Sequence, residues 1–171
     1  LVIVGRSYLF LPGHLALGDA AVEVTNTWAV RRWIESGDWF PYWTNYAGMG
    51  MPYLQFRFPL FAYLSGLLDL VVRDPFLSNK VLLLCSHIGM VLTMYAYVRH
   101  LTHSSWAALF SGLVWSSAFY HYHHFVHLGR LIVALFPVFL PLQLHMLEKA
   151  MYGSLLNRSR AVLALLIGIQ F

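Results

Sequence analysis

Three apolar runs, residues 79–98, 105–120 and 131–147, constrain this chain more than any other feature. Each is long enough, or nearly so, to cross a bilayer, which takes roughly 20 residues in helical form. The hydrocarbon layer offers no water to backbone N–H and C=O groups, so a crossing segment must satisfy them internally, as a helix does. Composition agrees with that reading. The chain is 59% hydrophobic and 11% charged, where soluble domains carry about 25% charged residues, and its mean hydropathy is +0.63. The expected fold is therefore an all-α, multi-span membrane protein.

Residues 1–12 read as the outer end of a first transmembrane helix, closed by Leu11-Pro12-Gly13, and 161–171 as the start of a truncated last one. The chain opens at Leu1 and stops at Phe171 inside apolar stretches, with no signal-peptide pattern. It is read as an internal or N-terminal piece of a longer polytopic protein. The formal charge of +4 is spread between apolar segments and forms no basic tract, which argues against nucleic acid as a partner. The single cysteine, Cys85, lies in an apolar run. It rules out a disulfide within the chain and a metal site of several thiolates, and reads as a small apolar filler.

Between these runs lies an unusual connection. From Gly37 it reads G-D-W-F-P-Y-W-T-N-Y-A-G-M-G-M-P-Y-L-Q-F-R-F-P-L-F-A-Y-L, where a short polar loop would be ordinary. Aromatic rings with polar tips favour the headgroup layer, and glycine and proline impose a defined path. Long ordered loops of this kind usually carry function. Before it, residues 18–36 suit a helix, with Asp19 as N-cap and Gly37 as C-cap. After it, 59–72 is apolar but shorter than a full span, a length typical of interfacial or re-entrant segments.

Charge placement sets the expected topology, because positive residues accumulate on the cytoplasmic side. If 59–72 lies on the outer surface, 79–98 runs inward to Arg99, His100 and His103, and 131–147 returns inward to Lys149, Arg158 and Arg160. Residues 13–78 then form one large external loop carrying two interfacial helices, and 79–171 holds the transmembrane helices. The histidine-rich segment 120–130 emerges on the same outer face. Asp69, costly in lipid unless paired or at the surface, is expected on the wet side of 59–72.

Two constellations could carry chemistry. On a helix from Asp19, the residues Asp19, Glu23, Asn26 and Thr27 share one stripe. Two carboxylates there could bind a divalent cation, magnesium or manganese, or act as a general base. The plainer alternative is that Asp19 caps the helix and Glu23 faces water. Arg31 and Arg32 could hold phosphate oxygens, or be solvated or bound to headgroups. The second constellation is Y-H-Y-H-H-F-V-H-L-G-R over 120–130. His123 and His127 are spaced i, i+4, and His121 and His124 i, i+3. Imidazoles ligate transition metals, but no HExxH motif is present, and contacts to phosphate, sugar or water suit these histidines better. Arg130, just before an apolar run, can clamp a pyrophosphate bidentately or anchor a headgroup. Arg57 and His14 are equally open between lipid phosphate and the site.

The run from G-H-L-A-L-G-D (13–19) through the aromatic loop to F-P-L-F-A-Y-L, with G-R-L-I-V-A-L-F-P-V-F-L-P-L at 129–142, resembles the GT-C superfamily of polytopic membrane glycosyltransferases. The closest branch is that of YfhO-type proteins and the pyruvoyl-tetrahydropterin-synthase-related membrane family. The resemblance covers residues 10–150. It implies a helical bundle with a large first external loop, in the plasma membrane of a bacterial or archaeal cell envelope. It also implies transfer of a sugar from a polyprenyl-(pyro)phosphate donor to a glycan, lipid or protein acceptor on the outer face. By the same resemblance, Asp19 matches the acidic residue placed at the acceptor or metal side. The second acidic residue frequent on a later external loop has no counterpart in 120–130. The resulting expectation is Asp19 and Arg130 as catalytic residues, with Glu23, Arg57, His127, Trp39, Trp43 and Tyr46 contacting substrate. A transporter or lipid-handling protein without chemistry is the alternative.

Overall fold

The structure is a computed structural model, and it describes residues 18–40, 43–45, 50–52, 59–152 and 162. The expected segment 1–12, and 161–171 apart from Val162, lie outside these residues, as do His14, Tyr46 and Arg57. The described chain is mostly helical. Helix α1 spans Ala20–Glu35, α2 Pro59–Val72, α3 Pro75–Thr102, α4 Ser105–Ser116, α5 Phe119–Tyr122 and α6 Phe136–Tyr152. A π-helical turn, His123–His127, follows α5, and a 3-10 turn, Leu131–Val133, precedes α6. Inside the aromatic connection, Trp43–Thr44 pairs antiparallel with Met51–Pro52.

Local chemistry explains the boundaries. Asp74 starts α3 by accepting from the backbone N–H groups of Phe76 and Leu77 at 2.9 and 3.2 Å, with Pro75 in the first turn, where its missing N–H costs nothing. His103 ends the helix in the left-handed conformation. Ser104 then caps α4 through Ala107 N–H at 3.3 Å. Pro141 lies inside α6 and cannot donate to the carbonyl four residues back. The freed Pro137 carbonyl accepts from Trp115 Nε1 at 2.9 Å, so a proline that would weaken a lone helix ties α6 to α4.

α3 is the axis of the molecule. Its first half packs with α1 and α2, its second half with α4 and α6. The pairs Thr27–Ser65, Arg31–Asp69 and Glu35–Arg73 advance together, so α1 and α2 run parallel. The start of α2 therefore lies beside the start of α1, about 24 Å along the 16-residue α1 from its end. Val30 meets Gly66 so closely that a Cβ there would lie 2.5 Å from its methyl carbon. α2 runs antiparallel to the first half of α3, with Asp69 bonded to Ser78 and Phe61 in one core cluster with Leu83. It accompanies α3 lengthwise instead of lying crosswise to it. In the second half, Gly112 of α4 abuts the Val91 carbonyl. Val138 meets Gly89, and His145 meets Tyr97, so α6 follows the direction of α3. At the midpoint Phe125, Leu131 and Ala134 join Phe61, Leu83 and Met90 in the core.

Two helical stretches, Pro75–Thr102 and Leu131–Lys149, are long and apolar enough to cross a membrane by length and composition. Their most apolar windows are only 17% and 22% buried within the described residues, where the core helix of a soluble protein would be mostly covered. The third expected span differs. The run 105–120 forms a helix of 12 residues that ends at Ser116, about 18 Å long, before the chain turns at Ser117 into α5. Alone it is too short for one crossing. Cys85 faces outward from α3, so it fills no gap in the core.

Candidate functional site

The first half of the bundle is held by a polar layer that the sequence does not announce. Glu23, Asn26 and Thr27 of α1, Ser65 and Asp69 of α2, and Ser78, Asn79 and Lys80 of α3 are all buried. Thr27 Oγ1 lies 2.8 Å from Ser65 Oγ and accepts from Asn79 Nδ2 at 3.1 Å. Asn79 Nδ2 also reaches the Pro75 carbonyl at 2.8 Å. Arg31 Nη1 donates to Asp69 Oδ2 at 2.8 Å, and Ser78 Oγ to Asp69 Oδ1 at 3.0 Å. Three expectations are corrected here. Asp69 is not on a wet face; it is fully buried, and its charge is met by Arg31. Arg31 is accordingly neither solvated nor free for phosphate, while Arg32 is exposed, 5.6 Å from the Trp28 ring. Glu23 does not face water, since it is 1% exposed and 3.3 Å from Asn26 Nδ2. The physical reason is shared. Parallel packing of α1 on α2 turns the stripe of Glu23, Asn26 and Thr27 inward, where buried polar groups must find partners.

Asp19 belongs to a different surface. It occupies the N-cap position of α1, yet its side chain makes no capping bond. Its carboxylate Oδ2 lies 3.7 Å from Arg130 Nε, with both side chains about half exposed. The two residues are far apart in the sequence, and the backbone brings them together. Asp19 N–H donates to the Leu128 carbonyl at 3.0 Å. Gly18, at φ 58°, passes so close that a Cβ would sit 1.9 Å from the same oxygen, so only glycine fits there. On the other side, the π-turn supplies the reach. Leu128 N–H donates to the His123 carbonyl and Arg130 N–H to the His124 carbonyl, each at 2.9 Å. Such one-turn π segments are frequent at functional sites.

The histidines divide by burial. His127 is exposed and stacks on His123 at 5.2 Å. His121 is buried, stacked on Phe125 at 5.7 Å and edge-on to Trp115 at 5.1 Å. Burial, reinforced by His87 and His124, pushes its pKa below the usual histidine value. Burial also lowers that of His124, with Arg130 and then His123 adding to the effect. The sign for stability follows by linkage. A base whose folded pKa is depressed leaves the unfolded chain binding more protons in the window between that pKa and about 6.5. Stability should therefore be complete above pH 6.5 and fall as the pH drops below it. His121→Phe should flatten this fall in thermal-denaturation midpoints measured between pH 5 and 8, and an unchanged profile would remove His121 as its source.

Of the expected substrate contacts, Trp39 and Trp43 are exposed. The Trp39 carbonyl accepts from Tyr63 Oη at 2.7 Å, and Trp43 Nε1 donates to Asn45 Oδ1 at 3.1 Å. Among the described residues, no group of three or more metal-ligating side chains includes Asp19, Glu23 or the histidines of 120–130. The group that does occur, His100, His145 and Glu148, lies at the far end of α3. Sequence reasoning passed over that group and the layer residues Ser65, Asn79 and Lys80. The available signal was S-N-K at the mouth of a long apolar run, where polar residues persist only with partners.

Fold and site together define a mostly helical protein with two helices long and apolar enough to cross a membrane, and a half-exposed carboxylate–guanidinium pair at the middle of the bundle. Compared with known proteins, the chain matches no family model, no curated protein and no solved structure.

Proposed function

We propose that this is an integral membrane protein of GT-C type that transfers a sugar from a polyprenyl-(pyro)phosphate donor to an acceptor hydroxyl at the outer face of a bacterial or archaeal plasma membrane. The observation that carries the proposal is the pairing of Asp19 with Arg130 at 3.7 Å on a half-exposed surface. That surface lies beside a histidine-bearing turn, at the start of the mostly uncovered apolar stretch Leu131–Lys149. The guanidinium offers the donor phosphate a planar fork. As the phosphate engages Arg130, Asp19 loses its cation and becomes a better base for the acceptor O–H. The acceptor oxygen then bonds to the anomeric carbon while the carbon–oxygen bond to the lipid phosphate breaks. The proton goes to Asp19, and the negative charge on the leaving phosphate is met by Arg130. His127, Trp39 and Trp43 are available to hold sugar and lipid. Glu23, turned into the buried layer, is a support for α1 in this mechanism. Asp19 stands apart from the one group of three metal-ligating side chains found among the described residues.

The transporter alternative draws on one observation, the buried Glu23 and Lys80 between α1 and α3, since ionisable groups inside apolar bundles mark permeation paths. One measurement separates the two. Reconstituted protein given a radiolabelled polyprenyl-phosphate sugar and mixed acceptors should release polyprenyl phosphate and label an acceptor. Movement of the intact lipid-linked sugar across the bilayer, without release, would instead establish transport.

A further inference from the structure

We propose that His100, His145 and Glu148 form a binding site for one divalent transition-metal ion, zinc in the first instance, joining the end of α3 to α6. This inference is independent of the glycosyl-transfer reading and concerns the opposite end of α3 from the polar layer.

The three side chains each present a ligand atom, and these atoms all lie within 4.8 Å of one another. His100 comes from the last turn of α3, and His145 and Glu148 are one helical turn apart on α6. The parallel course of the two helices sets them face to face. His100 Nε2 is 3.8 Å from Glu148 Oε2, beyond a hydrogen bond. The His100 and His145 rings meet edge to face at 4.6 Å. A second observation points to a ligand. His145 Nδ1 and Glu148 Oε2 are buried atoms with no hydrogen-bond partner, and native proteins seldom leave such atoms unmet. An ion at their centre would satisfy both.

Two imidazoles and a carboxylate are a donor set that zinc accepts with a fourth position open. Bonds of about 2.0–2.1 Å place tetrahedral ligand atoms about 3.3 Å apart, so the group, spread over up to 4.8 Å, must close by up to about 1.5 Å. The half-exposed His100 side chain can supply that movement. Arg99 and Lys149 adjoin the site in sequence and oppose a dication. Glu148 offsets part of that charge, which makes the carboxylate the most sensitive ligand. Sodium, magnesium and calcium, which favour oxygen ligands, fit this set poorly.

The test uses tag-free protein in nanodiscs, stripped with a chelator and titrated with zinc alone, then with cobalt for its visible absorption. One equivalent should bind. Glu148→Gln should weaken it at least about tenfold, a loss that even outer-shell partners can cause, and His145→Ala should abolish it. The stacked histidines of the π-turn are the competing site, so a His123→Ala, His127→Ala double variant is measured in parallel and should bind as wild type. Glu148→Gln keeps the shape of the side chain, so its melting temperature without zinc should match wild type while the zinc-dependent increase disappears. Absence of bound zinc in the wild type, an undiminished increase in Glu148→Gln, or loss of binding only in the π-turn double variant would each overturn the proposal. The first of these outcomes would leave a plain His100–Glu148 ion pair.

Discussion

Asp19→Asn should abolish sugar transfer while leaving the protein folded. Asparagine keeps the size of the side chain but removes the proton acceptor, a loss of about 10²–10⁴-fold in rate for a positioned general base. The structure makes this substitution clean. Asp19 does not cap α1 through its side chain, and its 3.7 Å pair with Arg130 is half exposed, where such pairs contribute about 0–1 kcal/mol. Arg130 should respond in a graded way. In the proposed mechanism Arg130→Ala removes the cation that meets the leaving phosphate, an expected loss of about 2–4 kcal/mol in transition-state stabilisation. Arg130→Lys keeps the charge without the planar fork and should retain partial activity. Consumption of polyprenyl-phosphate sugar, normalised to folded protein, reads all three. Wild-type turnover in Asp19→Asn would reduce Asp19 to a surface partner of Arg130. Full activity in Arg130→Lys, with lowered membrane stability in Arg130→Ala, would make Arg130 a headgroup anchor.

The second large effect is on stability and lies in the buried layer. Arg31→Ala would leave the fully buried Asp69 carboxylate with only Ser78 among the described residues. Breaking a buried pair from one side typically costs about 3–5 kcal/mol. The double replacement Arg31→Met, Asp69→Leu removes both charges and fills similar space, and such exchanges are often neutral or stabilising. The expected pattern in detergent-solubilised denaturation is therefore a large loss for the single variant and recovery in the double. Equal losses in both would show that the pair contributes net attraction beyond its desolvation cost. A negligible loss in Arg31→Ala would mean that water or another group reaches Asp69. Under the proposed mechanism, sugar transfer by the double variant should persist, because Arg31 and Asp69 lie in the buried layer and not at the Asp19–Arg130 surface.

Much of the chain was legible before any packing was known, because its signals are local. Asp19 and Gly37 bracket α1, and the span 59–72 is the α2 of the structure, since Pro59 suits the first turn of a helix and Arg73-Asp74-Pro75 favours a new start. The pairing of Asp19 with Arg130 agrees with the expectation that their two regions meet. What failed did so for identifiable reasons. The run 105–120 has the composition of a span, but Ser116-Ser117-Ala118 releases the helix, and composition does not register a turn that the π-segment needs. Asp69 read as a wet residue because its partner, Arg31, lies on another helix. Glu23 read as facing substrate or water because a stripe of polar residues has no direction until a neighbouring helix covers it.

The sequence by itself determined where the chain is helical, which segments are apolar enough for a bilayer, and which side chains could carry charge or chemistry. Those are properties of residues a few positions apart, governed by backbone sterics, capping and hydrophobic period. Only the tertiary structure decided which of those charges are neutralised in the core and which stay at a surface. It turned Arg31 and Asp69 toward each other, drew Glu23 inside, left Asp19 facing Arg130, and gathered His100, His145 and Glu148 at the end of α3. A side chain's exposure and partner depend on the register between helices. That register is set by long-range packing at points such as Gly66 on Val30, Gly112 on Val91 and Gly18 on Leu128, and no local pattern encodes it.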